Sequence, residues 1–322
     1  MLRYSSINGV PQANRSDVTL KIMCGILLCS IIYYISSLSI KKSRFKSEFS
    51  RVKVTDDKTI IVITPTFMRP ERMADFTMLS QALKHVPNVF WLVVEDGDYR
   101  VDKVEQVMRR TGLDYAYINT TNEGLPCRGW AHRNRALDWI QKHRAQFNSN
   151  DVVYFADDDN AYDIRLFTEY IAKVEVMGVW AVGTSAYAIV ESPKVKNNKV
   201  VGWNVVYRPS RKFATDMAGF AINIDTLVKS KPRLTLHCAG QSPEDCFLNQ
   251  LNISWDDMVP FGDGTEDILV WHRKTAGGKF RTVNTNGYYT EEWKRQPKHC
   301  RRLLSINEIS YEEAVKLRDQ KE

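Results

Sequence analysis

Three short runs of apolar residues, none interrupted by a charge, constrain the fold of this chain most strongly. They are 59–64 (TIIVIT), 89–94 (VFWLVV) and 152–155 (VVYF). Strands buried on both faces of a sheet have this continuous apolar character, whereas strands with one solvated face alternate between apolar and polar residues. Stretches with apolar residues at helical spacing separate the runs, and the first of them begins at Pro70. This order predicts an α/β fold with a mostly parallel sheet.

The same patterns predict the remaining elements. Further helices are predicted at 102–110, 130–144 and 166–177, and from Pro243. Further strands are predicted at 113–118, 186–190, 200–207, 216–224 and 268–271. Asn197 and Asn198 separate two of these strands and are typical of a hairpin turn. With 43% hydrophobic and 26% charged residues, the composition excludes a disordered, collagenous or multi-pass membrane protein.

Acidic residues follow two of the apolar runs. Glu95 and Asp96 come after 89–94, and Asp157, Asp158 and Asp159 come after VVYFA. In open parallel sheets, ligands bind beyond the carboxyl ends of the strands. Adjacent carboxylates repel one another, and a hard divalent cation relieves that repulsion. A solvated acidic turn or helix cap is the alternative interpretation, but the position at a strand end favours a metal site.

The net charge of +7 is concentrated on both sides of one apolar segment, 22–40. Residues 1–21 carry three bases and one acid, and residues 41–58 carry seven bases and three acids. Subtracting these contributions of +2 and +4 from +7 leaves +1 for the residues from Thr59 onward. A basic stripe across the folded body is therefore not expected, and the sequence predicts no nucleic-acid partner.

The segment 22–40 has nineteen residues without a charge, between Lys21 and Lys41. As a helix it would span about the hydrocarbon thickness of a bilayer, so we predict a single-pass anchor with a polar stem after it. A cleaved signal peptide and a buried core helix are the alternatives. The stronger basic cluster follows the segment, and the positive-inside rule alone would therefore place the C-terminal body in the cytosol.

Other features favour a lumenal body. Asn119 and Asn252 each begin an acceptor sequence for N-glycosylation. An even number of cysteines lies outside the apolar segment, namely Cys127, Cys238, Cys246 and Cys300. They permit disulfides in an oxidising compartment with three possible connectivities, although four free thiols are equally ordinary.

Seven long strings of this sequence resemble, in the same order, the animal beta-1,3-glucuronosyltransferases of glycosyltransferase family 43. They are ITPTF-R, WLVVEDGD, RGWAHRNRALDW, VVYFADDDN, VVGWN-VYRPSRKFATDMAGFAI, EDCFLNQL and ILVWHRKT, and they cover about 60–275. The resemblance implies a GT-A type α/β fold, in which a Rossmann-like mixed sheet binds a nucleotide sugar beside a closely packed acceptor-binding half. It also implies a homodimeric, type II Golgi membrane protein with a lumenal catalytic domain.

The resemblance assigns a donor site for UDP-glucuronate. Its implied residues are Pro65, Thr66, Phe67, Asp96, Arg128, Arg133, Asp157, Asp158, Asp159, His272, Arg273 and Lys274. Asp159 is the implied ligand of Mn²⁺, the implied cofactor. The family commonly has Tyr at the position of Phe67 and Arg at the position of Lys274. Arginine suits such a site because its planar fork pairs with a diphosphate or a carboxylate.

The resemblance also assigns a base and an acceptor site. Inversion in one displacement needs a carboxylate that takes the acceptor proton, and Glu244 is the implied base. The implied acceptor contacts are Glu191, Tyr207, Arg211 and Asp216. The sequence departs from the family nearby. Ala186 and Tyr187 stand where better-known members have a Gly-Gly pair, and the loop from Gly240 to Glu244 is one residue longer.

The predicted activity is inverting transfer of glucuronic acid from UDP-glucuronate to the 3-hydroxyl of a terminal galactose on a glycoprotein or proteoglycan glycan. The alternatives are a related glycosyltransferase with another donor or acceptor, and an inactive, membrane-anchored glycan-binding homologue. The predicted regions are a tail (1–21), the signal anchor (22–40), a stem (41–58), a UDP-sugar-binding half (59–160), an acceptor-binding and catalytic half (161–290) and a C-terminal tail (291–322).

Overall fold

A seven-stranded mixed sheet lies at the centre of the structure, which is a computed structural model. The structure describes residues 58–126, 129–185, 188–262 and 268–272, together with Ser30. The chain divides into two units, Met1–Glu48 and Phe49–Glu322. All the helices and strands given below belong to the second unit.

The predicted anchor at 22–40 lies outside the described residues, apart from Ser30. Within the part of the chain that the structure does describe, no helix is both long enough and apolar enough to cross a membrane.

The strands in chain order are β1 Ile60–Thr66, β2 Val89–Asp96, β3 Asp114–Thr120, β4 Val152–Phe155, β5 Ala161–Tyr162, β6 Met177–Val179, β7 Val182–Gly183, β8 Val190–Lys196, β9 Lys199–Asn204, β10 Phe220–Asn223, β11 Met258–Pro260 and β12 Val270–Trp271. The helices are α1 Arg72–Leu83, α2 Asp102–Thr111, α3 Trp130–Lys142, α4 Ile224–Ser230 and α5 Pro243–Leu248.

The central sheet has the strand order β11-β6-β10-β4-β1-β2-β3. Four of its strands, β3, β2, β1 and β4, are mutually parallel. β10 is antiparallel to its neighbours β4 and β6, and β11 is parallel to β6. The three apolar runs become β1, β2 and β4, which lie side by side, so the predicted α/β fold with a mixed sheet is confirmed.

Both faces of the sheet are covered, as the uninterrupted apolar runs predicted. Ile61 of β1 belongs to the apolar cluster that contains Trp139 of α3. The next residue, Val62, belongs to the cluster on the other face, which contains Phe76 of α1. Successive side chains of a strand point to opposite faces, so a strand buried on both sides must be apolar throughout.

A second sheet has the order β5-β12-β7-β8-β9. β8 and β9 form an antiparallel hairpin whose turn is Asn197 and Asn198, with φ angles of 52° and 58°. Two consecutive left-handed residues are the geometry of the type I′ turn, in which asparagine is favoured. The predicted hairpin turn is therefore confirmed.

Three of the predicted elements that differ from the structure are informative. The helix predicted at 166–177 consists of a π turn, Leu166–Tyr170, and a 3₁₀ turn, Ile171–Lys173. Met177 begins β6 instead, because the chain becomes extended at Val174. The apolar spacing was real, since both segments are buried, but burial on one side of the sheet does not require one continuous helix.

The other two differences concern strands. The strand predicted at 216–224 is shorter, since Asp216 caps a 3₁₀ turn before β10 begins at Phe220. The strand predicted at 186–190 begins only at Val190 and continues to Lys196, so most of it lies C-terminal to the predicted range. Ala186 and Tyr187 lie outside the described residues.

Candidate active site

The predicted donor residues gather at the carboxyl ends of the parallel strands. Pro65 and Thr66 end β1, and Asp96 ends β2. Asp157 is the second residue after the end of β4. The registers pair Thr66 with Glu95 and Ile63 with Phe155, which brings these strand ends to one edge of the sheet. Phe67 follows β1 directly at that edge.

Asp158 is held in place by two partners. It is 5% exposed and accepts hydrogen bonds from Thr66 Oγ1 at 2.7 Å and from Arg69 Nη1 at 2.8 Å and Nη2 at 3.0 Å. Burial raises the pKa of this carboxyl, although the Arg69 charge opposes the shift. The ion pair thus fixes the middle carboxylate of the triplet against the end of β1.

Arg69 was not predicted as a site residue. Its Nη2 also lies 3.0 Å from Asp75 of α1, and its guanidinium carbon lies 5.0 Å from the centre of the Phe67 ring. It therefore links the first helix, the triplet and the aromatic ring predicted to face uridine. The string ITPTF-R contained this arginine, but only the tertiary contact identifies its partner.

Asp157 forms an ion pair with Arg133, which lies in the first turn of α3. Gly129 precedes that helix with φ of 71°, and a Cβ there would lie 2.7 Å from Arg133 Nη1 and 3.2 Å from Pro65. Glycine is therefore required at this point, both for its left-handed backbone and for the close approach of α3 to β1. This approach brings Arg133 to the triplet.

Asp159 differs from its two neighbours in the triplet. Within the part of the chain that the structure describes, it has no hydrogen bond and no ion pair. Burial, followed by the charges of Asp157 and Asp158, raises its pKa to about 7. A cation at this carboxylate would relieve both causes of the shift.

The carboxylate of Asp159 fits a divalent metal that takes most of its ligands from substrate and water. Among the described residues, no group of three or more His, Cys, Asp or Glu side chains converges on a common point. Magnesium-like sites in enzymes that bind phosphates commonly use one or two carboxylates together with the phosphate oxygens. The predicted Mn²⁺ stays a prediction, and Asp159 is the residue present that would hold it.

Asp96 lies next to a second residue that was not predicted, His132 of α3. His132 Nε2 lies 3.5 Å from Asp96 Oδ1, and the His132 side chain is buried. Asp96 was predicted to recognise the uracil edge. His132 therefore lies behind the predicted base-recognition carboxylate and limits the directions in which that carboxylate can turn.

Two of the predicted acceptor residues, Glu191 and Asp216, form a polar cluster with Ser185 between the second sheet and the 3₁₀ turn at Met217. Ser185 Oγ lies 3.1 Å from Glu191 Oε2 and 2.8 Å from Asp216 Oδ2. Asp216 Oδ1 accepts a hydrogen bond from the Ala218 backbone N–H at 2.9 Å. Ser185 was not predicted, because it is distant in sequence from Asp216 and lies in the segment where the sequence departs from the family.

His272 extends this cluster towards the donor side. Its Nδ1 lies 3.2 Å from Asp216 Oδ2, and its backbone N–H donates to Gly183 at 2.9 Å. The contact with Asp216, against the opposing effect of burial, raises the pKa of His272 to about 9. Although burial alone would raise it, the His272 interaction lowers the pKa of Asp216. At neutral pH the two side chains form an imidazolium–carboxylate pair.

Glu244 lies in the first turn of α5, after Pro243, a favoured first residue of a helix. Burial, followed by the charge of Asp216, raises its pKa to about 7. Its neighbour Asp245 has a structural role, since Asp245 Oδ1 accepts a hydrogen bond from the Phe213 backbone N–H at 2.7 Å. The two adjacent carboxylates are therefore used differently, and Glu244 has the pKa expected of a base.

Tyr207 and Arg211 lie on the segment between β9 and Asp216. The Arg211 guanidinium carbon lies 5.4 Å from the centre of the Tyr207 ring, and its Nη2 donates to the Tyr207 carbonyl at 2.9 Å. Arg208 Nη1 donates to the Gly240 carbonyl at 2.9 Å. This segment therefore contacts the loop that carries Glu244.

Several predicted residues lie outside the described parts of the chain. They are Cys127, Arg128, Arg273, Lys274 and Cys300. The two predicted glycosylation sites are described, and they differ. Asn252 is exposed with φ of 46°, whereas Asn119 is partly buried and its Nδ2 donates to the Gly97 carbonyl at 3.0 Å.

Comparison with known proteins places these residues in a family context. The sequence profile of Glycosyltransferase family 43 matches residues 79–276. The chain is 38% identical over 233 residues to galactosylgalactosylxylosylprotein 3-beta-glucuronosyltransferase 1 of Pan troglodytes, covering 67% of this chain and 69% of that protein. It is 37% identical over 234 residues to galactosylgalactosylxylosylprotein 3-beta-glucuronosyltransferase sqv-8 of Caenorhabditis elegans, covering 68% and 65%. Among solved structures, S. aureus TarS 1-349 has a TM-score of 0.46 at 14% identity, covering 66% of this chain and 60% of that one.

Proposed function

This chain belongs to glycosyltransferase family 43, and from that premise we propose that it transfers glucuronic acid from UDP-glucuronate to the 3-hydroxyl of a terminal galactose on a glycoprotein or proteoglycan glycan. The relatives named above carry that activity in their names. The proposal assigns the strand-end cluster to the donor and the Ser185–Asp216 cluster to the acceptor.

One observation supports the donor assignment most directly: the three carboxylates of the triplet are not equivalent. Asp157 and Asp158 are each paired with an arginine, whereas Asp159 has no such partner among the described residues. Two neutralised carboxylates beside a charged one leave a place for one added cation. A solvated acidic turn would not bury Asp158 or raise the pKa of Asp159 to about 7.

Asp159 would hold the divalent cation, which we propose to be Mn²⁺. When bound, the ion supplies positive charge to the diphosphate as it leaves the sugar. Arg133 pairs with Asp157, and the charge of His272 acts on Asp159, so both cations are available to neutralise further phosphate oxygens. Thr66 and Arg69 keep Asp158 fixed, so the triplet is already arranged before the donor binds.

Glu244 acts as the general base in the proposed reaction. The acceptor O3 attacks the anomeric carbon of glucuronate, and its proton passes to a carboxylate oxygen of Glu244. The new bond joins O3 to the anomeric carbon, the bond from that carbon to the phosphate oxygen breaks, and UDP leaves with the electron pair. A base with a pKa near the working pH is efficient, because it is both largely ionised and able to accept a proton.

The proposal extends to location and assembly. We propose a single-pass, type II Golgi protein with a lumenal catalytic body, acting as a homodimer. The disulfide between Cys238 and Cys246 supports a lumenal body, since disulfides persist in oxidising compartments. The exposed sequon at Asn252 agrees with it. The homodimer rests on the family resemblance alone.

A transfer assay tests the proposal. The full-length chain, purified from a eukaryotic secretory host, would be incubated with UDP-glucuronate, manganese and a panel of galactose-terminated acceptors. We expect a product that is heavier by one glucuronosyl unit and linked to O3, and product formation about 10²–10⁴-fold slower with Glu244→Gln. Transfer from UDP-glucose or UDP-N-acetylglucosamine, with none from UDP-glucuronate, would replace the proposal with a related glycosyltransferase. UDP-glucuronate binding without turnover on any acceptor would favour the inactive homologue.

A further inference from the structure

The Cys238–Cys246 disulfide encloses the segment that carries Glu244. Cys238 ends the 3₁₀ turn Leu236–Cys238, and Cys246 lies two residues after Glu244 in α5. The loop between them is the one that departs in length from the family, and Gly240 in it has φ of 75°. The disulfide thus closes a small ring around the proposed base.

The helix α5 is too short to be stable alone. It has six residues, and isolated helices shorter than about 12–15 residues are marginal in water because nucleation is costly. Its N-cap, Ser242, makes no side-chain capping hydrogen bond. The orientation of Glu244 therefore depends on contacts that α5 makes with other parts of the protein.

Three consecutive residues of α5 have three different roles. Successive residues on a helix are about 100° apart, so Glu244, Asp245 and Cys246 point in three directions. Asp245 binds the Phe213 backbone, and Cys246 is bonded covalently to Cys238, which is 0% exposed and packed in the core. With two of the three directions fixed, the rotation of α5 is fixed, and Glu244 takes the third direction.

The electrostatic surroundings of Glu244 agree with this arrangement. The charges that act on its carboxyl are those of Asp216, Arg211 and Arg133, which come from the proposed acceptor and donor sites. A rotation of α5 by one residue would replace Glu244 by one of its neighbours at this position.

We propose that the Cys238–Cys246 disulfide positions the catalytic base, so that its reduction lowers turnover without weakening donor binding. This inference rests on the proposed function. Reduction by a dithiol such as dithiothreitol transfers two electrons and two protons to the disulfide, giving two thiols, while the dithiol becomes a cyclic disulfide. Without the cross-link, α5 is held by Asp245 and its apolar contacts, and it opens more often.

The expected effect is selective for the chemical step. Small displacements of a catalytic group can cost up to about 100-fold in rate, so we expect kcat to fall by about 10- to 100-fold. The Kd for UDP should change by less than about twofold, because the side chains that hold the triplet, Thr66, Arg69 and Arg133, lie outside α5. Reoxidation should restore kcat, which a role limited to folding would not predict.

The experiment uses the full-length enzyme from a secretory host. Peptide mapping without reductant should recover residues 238 and 246 in one linked pair. The double variant Cys238→Ala/Cys246→Ala should show the loss of kcat, while its affinity for UDP, measured by calorimetry, stays close to that of the wild type. The matched control, Cys127→Ala/Cys300→Ala, should keep kcat and should still lose activity when reductant is added.

Hydrogen exchange gives a readout that does not depend on the reaction. On reduction, amides of residues 239–248 should exchange faster, while those of β1 and β2 stay protected. Free thiols at 238 and 246, unchanged exchange in this segment, or wild-type kcat in the double variant would each overturn the inference. If the wild type transfers nothing, the proposed function fails, and unchanged exchange on reduction would still overturn the inference separately.

Discussion

The side chains of His272 and Asp216 join the donor side of the site to the acceptor side. His272 Nδ1 lies 3.2 Å from Asp216 Oδ2, and the same Asp216 oxygen lies 2.8 Å from Ser185 Oγ. His272 belongs to the proposed diphosphate-binding set, and Asp216 to the proposed acceptor set. A change at either side chain is therefore expected to affect the binding of both substrates.

The protonation of His272 is the first testable consequence. Its pKa is raised to about 9, mainly by the hydrogen bond with Asp216, against an ordinary value of 6.5. A raised pKa means that the charged form stabilises the fold fully below about pH 6.5, and that this contribution is lost as the pH rises through about 9. We expect Asp216→Asn to return the His272 titration towards its ordinary range.

The titration can be followed by NMR of the histidine side chains in the full-length protein. As a control, Asp225→Asn removes an ion pair with Arg144 in the first turn of α4, which does not involve His272. An unchanged His272 titration in Asp216→Asn would mean that Asp216 is not what raises the pKa of His272.

The second prediction concerns the hydroxyl of Ser185. A hydroxyl carries one hydrogen, so it can satisfy one of the two carboxylates, Glu191 and Asp216, at a time. Burial raises the pKa of Glu191, which disfavours a second full negative charge in the cluster. In Ser185→Ala the two carboxylates lose their shared partner, and we expect the KM for the acceptor to rise by about 10-fold, the equivalent of one lost hydrogen bond of about 1.4 kcal/mol.

The KM for UDP-glucuronate should change little in Ser185→Ala. Ser192→Ala removes a hydroxyl that accepts a hydrogen bond from Asn204 Nδ2; it is the matched control and should leave both KM values unchanged. Equal increases in both KM values would indicate a general loss of structure and not an acceptor effect.

The gathering of the proposed donor residues at one edge of the sheet could be predicted from the sequence, because the signals for it are local. The runs that became β1, β2 and β4 were visible as short apolar strings, and the residues directly after parallel strands must share one edge of the sheet. The sequence strings alone could not show that Asp157 and Asp158 are each paired with an arginine while Asp159 has no such partner among the described residues. That difference depends on Arg69, in the segment between β1 and α1, and on Arg133 of α3, which both reach the triplet.

The acceptor side was less predictable because its contacts are long-range. Ser185 and Asp216 meet across an irregular segment, and no periodic pattern marks either residue. The Cys238–Cys246 disulfide belongs to one of the three connectivities that the sequence allowed, and only the packing of the turn at Leu236–Cys238 beside α5 selects it. The apolar stripe at 166–177 predicted one helix, although a turn and a strand bury its residues together. Here too, long-range packing and not the local pattern determines the structure.

The metal requirement provides the third prediction. We expect EDTA to abolish transfer, manganese to restore it, and Asp159→Asn to remain inactive at ordinary manganese concentrations, because we propose that the charge of this carboxylate holds the ion. Calorimetry should detect manganese-dependent UDP binding in the wild type and not in the variant. Asp163→Asn, an exposed carboxylate paired with Arg165, is the control and should behave like the wild type. Full activity of Asp159→Asn in EDTA would show that transfer needs no metal ion at Asp159.

Glycosylation provides the fourth prediction. Asn252 is exposed on a left-handed turn, whereas Asn119 at the end of β3 donates its Nδ2 hydrogen to Gly97. We expect the glycan on Asn252, so an N-glycosidase should shift the gel mobility of the wild type and of Asn119→Gln, but not of Asn252→Gln. Digestion of the C-terminal body by protease added to sealed microsomes would instead place that body in the cytosol.

The last prediction concerns Glu244 and uses activity and stability together. Burial raises its pKa to about 7, so the ionised base accumulates only as the pH rises through that value. The kcat/KM for the acceptor should therefore rise with pH up to about 7 and level off above it. Glu244→Gln should lower turnover by about 10²–10⁴-fold with little change in UDP affinity. Asp245→Asn keeps an oxygen that can accept from Phe213 N–H, and it should keep most of the activity.

The same raised pKa has the opposite consequence for stability. Because the folded-state pKa of Glu244 exceeds its ordinary value of 4.5, the contribution of this group is complete below about pH 4.5 and is lost as the pH rises through about 7. At pH 8 the wild type therefore keeps a half-buried charge that Glu244→Gln does not have. We expect the variant to have the higher Tm at pH 8 and no such advantage at pH 4, measured by calorimetry. A variant that is inactive and also less stable at pH 8 would mean that Glu244 supports the fold, and the base would then have to be sought elsewhere. Exchange of the two activities, with Asp245→Asn inactive and Glu244→Gln active, would identify Asp245 as the base.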